Sequence, residues 1–218
     1  MLTHKIIADV VQRALDEDAP WGDVTSEHLI PATATATAEL AAREAGVFSG
    51  ADVFAAAFLL TDPSLDVQLF LEDGDSFVAG QELGVVTGSA RSVLTAERIG
   101  LNFVQRMSGV ATLTAKYVEA VAGTKARIVD TRKTLPGLRQ AQKYAVRTGG
   151  GRVPEVGLTL MLGMPVPWVD ASAAALFPSR ARRGPHVGPH RWDHRGARRR
   201  LRGHPCRARR GSSGGLRS

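Results

Sequence analysis

Two adjacent cations, Arg132 and Lys133, lie in the polar segment 130–139, which reads Asp-Thr-Arg-Lys-Thr-Leu-Pro-Gly-Leu-Arg. The apolar stretch before this segment predicts a strand over 126–130, and the residues after it predict a helix over 138–148. The loop that follows a strand is a common place for a binding site in α/β proteins. Arginine can hold a carboxylate or phosphate bidentately, and lysine adds a mobile positive charge. The segment therefore predicts an anion-binding loop, with a solvated loop of ordinary surface charges as the alternative.

Two further features carry weaker indications of anion binding. The triplet Gly149-Gly150-Gly151 can present backbone N–H groups to an anion, but it lacks the spacing of a phosphate loop. A flexible turn after a helix is therefore the favoured interpretation of the triplet. Arg98 lies near the start of a long predicted helix, where the helix dipole disfavours a cation. Arg98 either reaches outward to an anion or is a surface residue paired with Glu97 or Glu39.

Three other patterns are weighed and set aside. Residues 72–86 resemble the hairpin repeat of biotinyl and lipoyl carrier domains, but no lysine lies between Lys5 and Lys116 to carry the cofactor. The histidines near the C-terminus (His186, His190, His194 and His204), with Cys206, suggest zinc ligands. Intervening prolines and the lack of a second cysteine favour a chance arrangement, so no metal ligand is assigned. The arginine-rich end predicts incidental affinity for polyanions rather than specific nucleic-acid binding.

Charge is divided unevenly along the chain. Residues 180–218 carry a net charge of +12, so residues 1–179 carry −5 of the total of +7. A single cysteine excludes an internal disulfide, and neither a charged leader with an apolar core nor a long apolar run is present. The composition predicts a soluble, cytoplasmic protein without membrane association.

The apolar pattern predicts mixed secondary structure. Helices are expected over 3–18, 51–60, 92–121 and 138–148, and strands over 34–43, 46–48, 67–71, 83–87 and 126–130. Residues 16–25 are predicted to form an acidic loop, and Gly109 is predicted to bend or split the long helix because glycine weakens a helix interior by roughly 1 kcal/mol. This order of elements predicts an α+β domain that leads into an α/β domain.

With these residues in view, 1–151 resemble the quinolinate phosphoribosyltransferase family. The matching elements are the acidic loop from Glu17 to Thr25, the run 95–98 (Thr-Ala-Glu-Arg), and the run 108–112 (Ser-Gly-Val-Ala-Thr). The most specific part is the segment 130–139, followed by Lys-Tyr-Ala-Val at 143–146 and the glycine triplet. Together they follow the family's order along about two-thirds of the chain.

The resemblance implies both a fold and an activity. The expected fold is an N-terminal α/β sandwich domain followed by an open α/β barrel. The implied reaction joins quinolinate to phosphoribosyl pyrophosphate with Mg²⁺ and releases pyrophosphate and CO₂, giving nicotinate mononucleotide for NAD biosynthesis. Thr131, Arg132 and Lys133 are then expected to line the substrate pocket, while Arg98 enters the pocket of a neighbouring subunit. A homodimer is the implied minimal active unit.

The chain departs from the family pattern after the triplet. Pro154 and Glu155 occupy positions where the family has His and Arg, the later Lys-Asp-Asn-His element is missing, and no catalytic residue is identified in this chain. Residues 152–218 lack Lys, Ile, Asn, Gln and Tyr altogether, which suggests a GC-rich gene read out of frame from about codon 151. Disorder is expected over 180–218 because few apolar residues are available to offset the entropy of ordering.

The sequence therefore predicts an N-terminal sandwich and dimerisation domain (1–112), the start of an α/β barrel (113–151) and an atypical tail (152–218). The predicted function is that of a quinolinate phosphoribosyltransferase with impaired catalysis. Two alternatives stay open: a noncatalytic fragment that retains the dimerising domain, and a nucleic-acid binder with a basic tail.

Overall fold

The computed structural model describes residues 2–153, which fold into a mixture of helices and strands, as predicted. The helices are α1 (His4–Asp18), α2 (Val24–Leu29), α3 (Ala51–Thr61), α4 (Ala90–Ala120) and α5 (Arg139–Thr148). The strands are β1 (Thr35–Ala41), β2 (Gly46–Val47), β3 (Asp66–Leu69), β4 (Ser76–Phe77) and β5 (Glu82–Ser89). The predictions that concern 154–218, including the disordered end and the reading-frame hypothesis, lie outside the described residues.

The strands form two small antiparallel sheets. The first has the order β1-β5-β3, and the second pairs β2 with β4. Side chains alternate along β1, so Leu40 is buried while Thr37 and Glu39 are exposed. The strands predicted on either side of residues 72–82 are β3 and β5, which pair antiparallel in the first sheet, whereas β4 between them pairs with β2.

The core lies where α3 and α4 pack together and against the first sheet. The rings of Phe54 and Phe58 on α3 are 4.9 Å apart and tilted by 52°. Both rings face Gly100 on α4, where a Cβ atom would lie 2.9 Å from Phe58 Cε2. The glycine therefore permits the close approach of the two helices, at a density typical of protein interiors.

α4 runs without interruption for 31 residues. The prediction that Gly109 splits this helix is therefore wrong, because buried residues on both sides of the glycine hold one continuous helix in place, including Val104, Met107, Val110 and Thr114. The predicted boundary between residues 112 and 113 falls inside this helix. Among the described residues, no helix combines the length and apolar composition needed to cross a bilayer.

Beyond α4, the chain forms the beginning of a strand–helix–strand unit. Val129 and Arg152 form a parallel bridge, in which the Arg152 N–H donates to Ile128 O at 2.9 Å and the Asp130 N–H donates to Arg152 O at 3.2 Å. α5 connects the two bridged segments. The strand predicted over 126–130 is thus reduced to this bridge within the described residues, since a strand needs a longer ladder than one bridge.

Candidate functional site

The loop that carries Arg132 and Lys133 begins at a buried acid. The side chain of Asp130 is 1% exposed and forms an ion pair with Lys143 of α5, whose side chain is 24% exposed. The pair joins the end of the first bridged segment to the helix that follows the loop. Because a buried carboxylate without a partner is costly, this contact holds the two ends of the loop together.

Local hydrogen bonds shape the rest of the loop. The Lys133 N–H donates to Thr131 Oγ1 at 3.1 Å, and the Leu135 N–H donates to Oε1 of the buried Gln142 at 2.7 Å. Arg139 Nε donates to Thr134 Oγ1 at 3.2 Å. Arg132 and Lys133 themselves are exposed. The loop therefore presents two cations to solvent on a backbone that is tied down on both sides.

The glycine triplet closes α5. Gly150 has a φ of +85°, and its N–H donates to Arg147 O at 2.9 Å, while the Gly151 N–H donates to Val146 O at 2.9 Å. These two bonds form a Schellman motif. A Cβ atom at Gly149 would lie 2.3 Å from Ala111 O of α4. The triplet is thus a turn, as favoured from the sequence, and its N–H groups cap the helix instead of facing an anion.

Arg98 belongs to a second cluster, on the surface of α4. Its Nη2 atom lies 3.0 Å from Asp18 Oδ2 and 3.7 Å from Asp23 Oδ2. The prediction that Arg98 pairs with Glu97 or Glu39 is wrong. Adjacent residues on a helix do not face each other, and the Arg98 side chain reaches Asp18 at the end of α1 instead. The expected conflict with the helix dipole is also absent, since Arg98 lies beyond the first turn.

Asp23 is the most firmly held member of this cluster. Its Oδ1 atom accepts the Ser26 N–H at 3.1 Å, and its Oδ2 atom accepts Ser26 Oγ at 2.7 Å and Thr95 Oγ1 at 3.3 Å. The hydrogen bonds from the Ser26 hydroxyl and N–H lower the pKa of Asp23 and outweigh the opposing effect of burial, and Thr95 and Arg98 add smaller lowering contributions. Asp23 also caps α2, so part of the predicted acidic loop is a helix that begins at Val24.

A cleft of about 340 Å³ separates α4 from the loop before α5. Its polar lining consists of Asn102, Gln105, Arg106 and Gln142, and Leu135 and Leu138 contribute apolar surface. Neither Arg98 nor the residues 131–133 line this cleft. The cleft is therefore distinct from both charged clusters.

A partly buried hydrogen bond connects α5 to the N-terminal part of the fold. The Tyr144 hydroxyl donates to Asp73 Oδ2 at 2.7 Å, and Asp73 Oδ1 accepts the N–H groups of Gly50 and Ala51 at 2.7 and 3.0 Å. Burial, the hydrogen bond to Asp73 and its negative charge raise the pKa of Tyr144 above its ordinary range. Tyr144 therefore stays protonated and ties α5 to the start of α3.

The structure separates the four site residues predicted from the sequence into two groups. Thr131, Arg132 and Lys133 share one loop, whereas the ion-pair partners of Arg98 are Asp18 and Asp23. Within residues 2–153, no group of three or more His, Cys, Asp or Glu side chains is arranged to hold a metal ion. Asp18, Asp23 and Lys143 belong to motifs of the sequence, but the residues next to them in the sequence did not indicate their ion-pair partners.

Two protein-family models match most of the chain. The model described as "Quinolinate phosphoribosyl transferase, N-terminal domain" matches residues 23–108, and the corresponding C-terminal domain model matches residues 110–171. The second match continues past Gly151, so the family pattern extends further along the chain than the motifs quoted above.

Curated relatives agree with the family models. The chain is 48% identical to the nicotinate-nucleotide pyrophosphorylase [carboxylating] of Mycobacterium leprae, over 69% of this chain and 54% of the relative. It is 43% identical to a quinolinate phosphoribosyltransferase [decarboxylating] of Nicotiana glauca, over 70% of this chain and 43% of the relative. The chain thus spans about half the length of the curated relatives that it matches.

Solved structures show the same relationship in three dimensions. NadC from Streptococcus pyogenes superposes with a TM-score of 0.69 at 40% identity, over 73% of this chain and 56% of that one. The nicotinate-nucleotide pyrophosphorylase from Francisella tularensis gives a TM-score of 0.69 at 36% identity, over 73% and 57% of the two chains. With both domain models matched in order along one chain, the protein belongs to the quinolinate phosphoribosyltransferase family.

Proposed function

We propose that this chain binds quinolinate and phosphoribosyl pyrophosphate in the manner of an enzyme that makes nicotinate mononucleotide, pyrophosphate and CO₂ for NAD biosynthesis. The observation that carries the proposal is the loop 131–133, exposed and tied down at the end of a bridged strand, inside the region that matches the family's C-terminal domain. Its relatives carry the names of this activity.

The chemistry of the loop suits these substrates. Quinolinate is a dicarboxylate and phosphoribosyl pyrophosphate is a polyphosphate, so both need cations. Arg132 can hold a carboxylate or phosphate with two parallel hydrogen bonds, and Lys133 can add a point charge from the same loop. Loss of pyrophosphate from the ribose gives the sugar cationic character, so positioning and charge stabilisation would supply most of the rate.

A homodimer completes this proposal. Arg98 is occupied on its own subunit by acids of the N-terminal region, and its side chain remains 54% exposed. In a dimer, this arginine would extend from the surface of one subunit into the substrate pocket of its partner. The proposed architecture is an N-terminal sandwich domain joined by α4 to the start of an α/β barrel. The bridge between Val129 and Arg152, with α5 connecting its two sides, supports this proposal.

Mg²⁺ is proposed to enter as part of the phosphoribosyl pyrophosphate complex. Mg²⁺ is usually held by one or two carboxylates together with substrate phosphates. The acid at the end of the first bridged segment, Asp130, is enclosed and already paired with Lys143, which does not fit a metal ligand. We therefore assign no residue of the described part of the chain to the ion.

Impaired turnover and a cytoplasmic location are further parts of the proposal. No catalytic residue is assigned in this chain, and Pro154 and Glu155 occupy positions where the family has His and Arg. Its partners would be the two small-molecule substrates and a second copy of the chain, without membrane or specific nucleic-acid binding. Substrate binding without rapid turnover is the expected behaviour.

Binding of quinolinate by titration calorimetry tests the proposal. The full chain should bind quinolinate, and Arg132→Ala should weaken binding by about 30-fold or more, because an anion then loses its charged partner. Arg127→Ala is the matched control, since Arg127 is an exposed arginine just before the loop. A chain that neither binds quinolinate nor forms nicotinate mononucleotide would support the noncatalytic alternative.

A further inference from the structure

We propose that Asp18 and Asp23 are positioning residues that hold the Arg98 side chain in the orientation in which it meets the anionic substrate. The inference rests on the proposed function, because it assigns these acids to the same substrate site. The two acids lie between the end of α1 and the start of α2, whereas Arg98 lies in the third turn of α4, far away in the sequence.

The contacts define one edge of the guanidinium group. Arg98 Nε donates to Asp18 Oδ2 at 3.1 Å, and Nη2 lies 3.0 Å from the same oxygen. Asp23 Oδ2 lies 3.7 Å from Nη2. These contacts use the Nε and Nη2 edge, and among residues 2–153 no ion pair or hydrogen bond involves Nη1. The Nη1 end can therefore bind a carboxylate or phosphate while the other edge stays held.

The acids are themselves fixed, which makes them a rigid support. Asp23 is held by Ser26 of α2 and by Thr95, which lies three residues before Arg98 on α4. Its side chain is 8% exposed. Asp18 is the last residue of α1 and its side chain is 32% exposed. Arg98 is thus oriented by one buried and one partly exposed carboxylate before any ligand arrives.

Two opposite effects of the acids on an anionic ligand can be separated by experiment. Orientation favours binding, since an arginine that is already immobilised loses less rotamer freedom when the ligand arrives. The negative charges of the acids oppose binding by repelling the anion. We expect orientation to dominate, because solvent screens the partly exposed Asp18 while the hydrogen-bond geometry is retained. Removing Asp18 should therefore weaken binding.

A series of substitutions at Asp18 tests whether this acid strengthens or weakens the binding of quinolinate. Asp18→Ala should weaken quinolinate binding by about 3- to 10-fold, which corresponds to freeing one long side chain. Asp18→Asn, which keeps an acceptor, should lie between Ala and wild type, and Asp18→Glu should restore most of the affinity. Each variant should unfold close to the wild-type urea midpoint, because the described hydrogen bonds of Asp18 involve Arg98 alone. If repulsion dominated, Ala and Asn would both tighten binding, and that result would overturn the proposal.

The role of Asp23 needs a matched control because this residue also caps α2. Ser26→Ala removes the hydrogen bond from the Ser26 hydroxyl to Asp23 Oδ2, but it keeps the bond from the backbone N–H and leaves the Asp23 carboxylate beside Arg98. Asp23→Ala should therefore weaken quinolinate binding more than Ser26→Ala does, even where the two lower the unfolding midpoint equally. Equal binding losses would mean that Asp23 acts only through helix stability.

A second measurement reports on the ion pair without substrate. Phenylglyoxal modifies exposed guanidinium groups, and the extent at each arginine can be read by peptide mass spectrometry. Asp18→Ala should raise the modification rate at Arg98 and leave that at Arg106, on the same helix, unchanged. An unchanged rate at Arg98 would show that the pair is not formed in solution.

The controls separate this inference from the proposed function. Failure of the wild-type chain to bind quinolinate would overturn the proposed function and this inference with it. Binding that is weakened by Arg98→Ala but unaffected by every Asp18 variant would overturn the inference alone.

Discussion

The two charged clusters of the described region are built from the same kinds of groups but differ in burial. Asp130 is buried, with a side-chain exposure of 1%, and its partner Lys143 is partly buried, with an exposure of 24%. Arg98 and Asp18 meet at the surface, with exposures of 54% and 32%. Because the cost of an unpaired charge rises steeply when water is excluded, the first pair is expected to matter for folding and the second for ligand binding.

One stretch of the sequence contributes both to a candidate ligand site and to folding. The segment 130–139 and the helix after it supply both the loop cations and the ion pair that closes the loop. In the second cluster, Asp18 and Asp23 hold Arg98, whose side chain remains accessible to solvent. A cation that is half exposed keeps part of its hydrogen-bonding capacity for an anion, whereas an enclosed cation has little to offer a ligand.

The largest expected effect comes from breaking the buried pair. Lys143→Met leaves the Asp130 carboxylate enclosed without its partner, which should lower the free energy of unfolding by about 3–5 kcal/mol in urea denaturation. Lys116→Met, at an exposed position of α4, is the control and should change stability little. Asp130→Asn combined with Lys143→Met should recover much of the loss, because no charge is then left unpaired. Equal losses for the two lysine variants would contradict the distinction between the clusters.

A smaller effect should appear in the pH dependence of the surface cluster. The folded-state pKa of Asp23 is lowered, first by the Ser26 hydroxyl and then by its N–H group. Its contribution to stability is therefore present above the pKa of the unfolded state and is lost as the pH falls through the folded-state pKa. Asp23→Ala should cost about 1 kcal/mol near neutral pH, as for other helix caps.

The measurement is the free energy of unfolding of the wild-type protein and of Asp23→Ala between neutral and strongly acidic pH. The difference between the two proteins should shrink as the pH drops below the ordinary range of an aspartate. A difference that stayed constant with pH would show that the ionised form of Asp23 contributes nothing specific.

The smallest expected change in stability comes from Arg98→Ala. An exposed ion pair contributes about 0–1 kcal/mol, and salt screens it further. Lys5→Ala, which removes a pair with Asp9 at an N–O distance of 3.7 Å, should give a similarly small change in urea denaturation. A loss as large as that of Lys143→Met would remove the distinction between a cluster for ligands and a cluster for folding.

Local patterns in the sequence predicted most elements of the described fold. The expected helices at 3–18, 51–60 and 138–148 correspond to α1, α3 and α5 with differences of one residue at their ends. The sequence did not predict the short strand at 76–77, and it did not predict that α4 continues through Gly109. Gly109 lowers helix propensity locally, but the packing of α4 against α3 outweighs that cost.

Local sequence predicted the candidate site less completely than it predicted the helices and strands. The cations at 132 and 133 were recognisable because a strand, a loop and a helix follow one another in sequence. The partners of Arg98 were not, because Asp18 and Asp23 reach it only when the end of α1 and the start of α2 pack on α4. The sequence favoured a turn at the glycine triplet, but only the structure showed which carbonyl groups of α5 its N–H groups cap.

By itself, the sequence determined most of the helices and strands, which loop carries the cations, and the family to which the chain belongs. These properties depend on residue type and near-neighbour spacing, which are written in one dimension. Only the tertiary structure decided that Asp130 is buried against Lys143 and that Arg98 is held by two aspartates at the surface. Burial and long-range contacts set the strength of a charge, and both arise only when distant segments pack together.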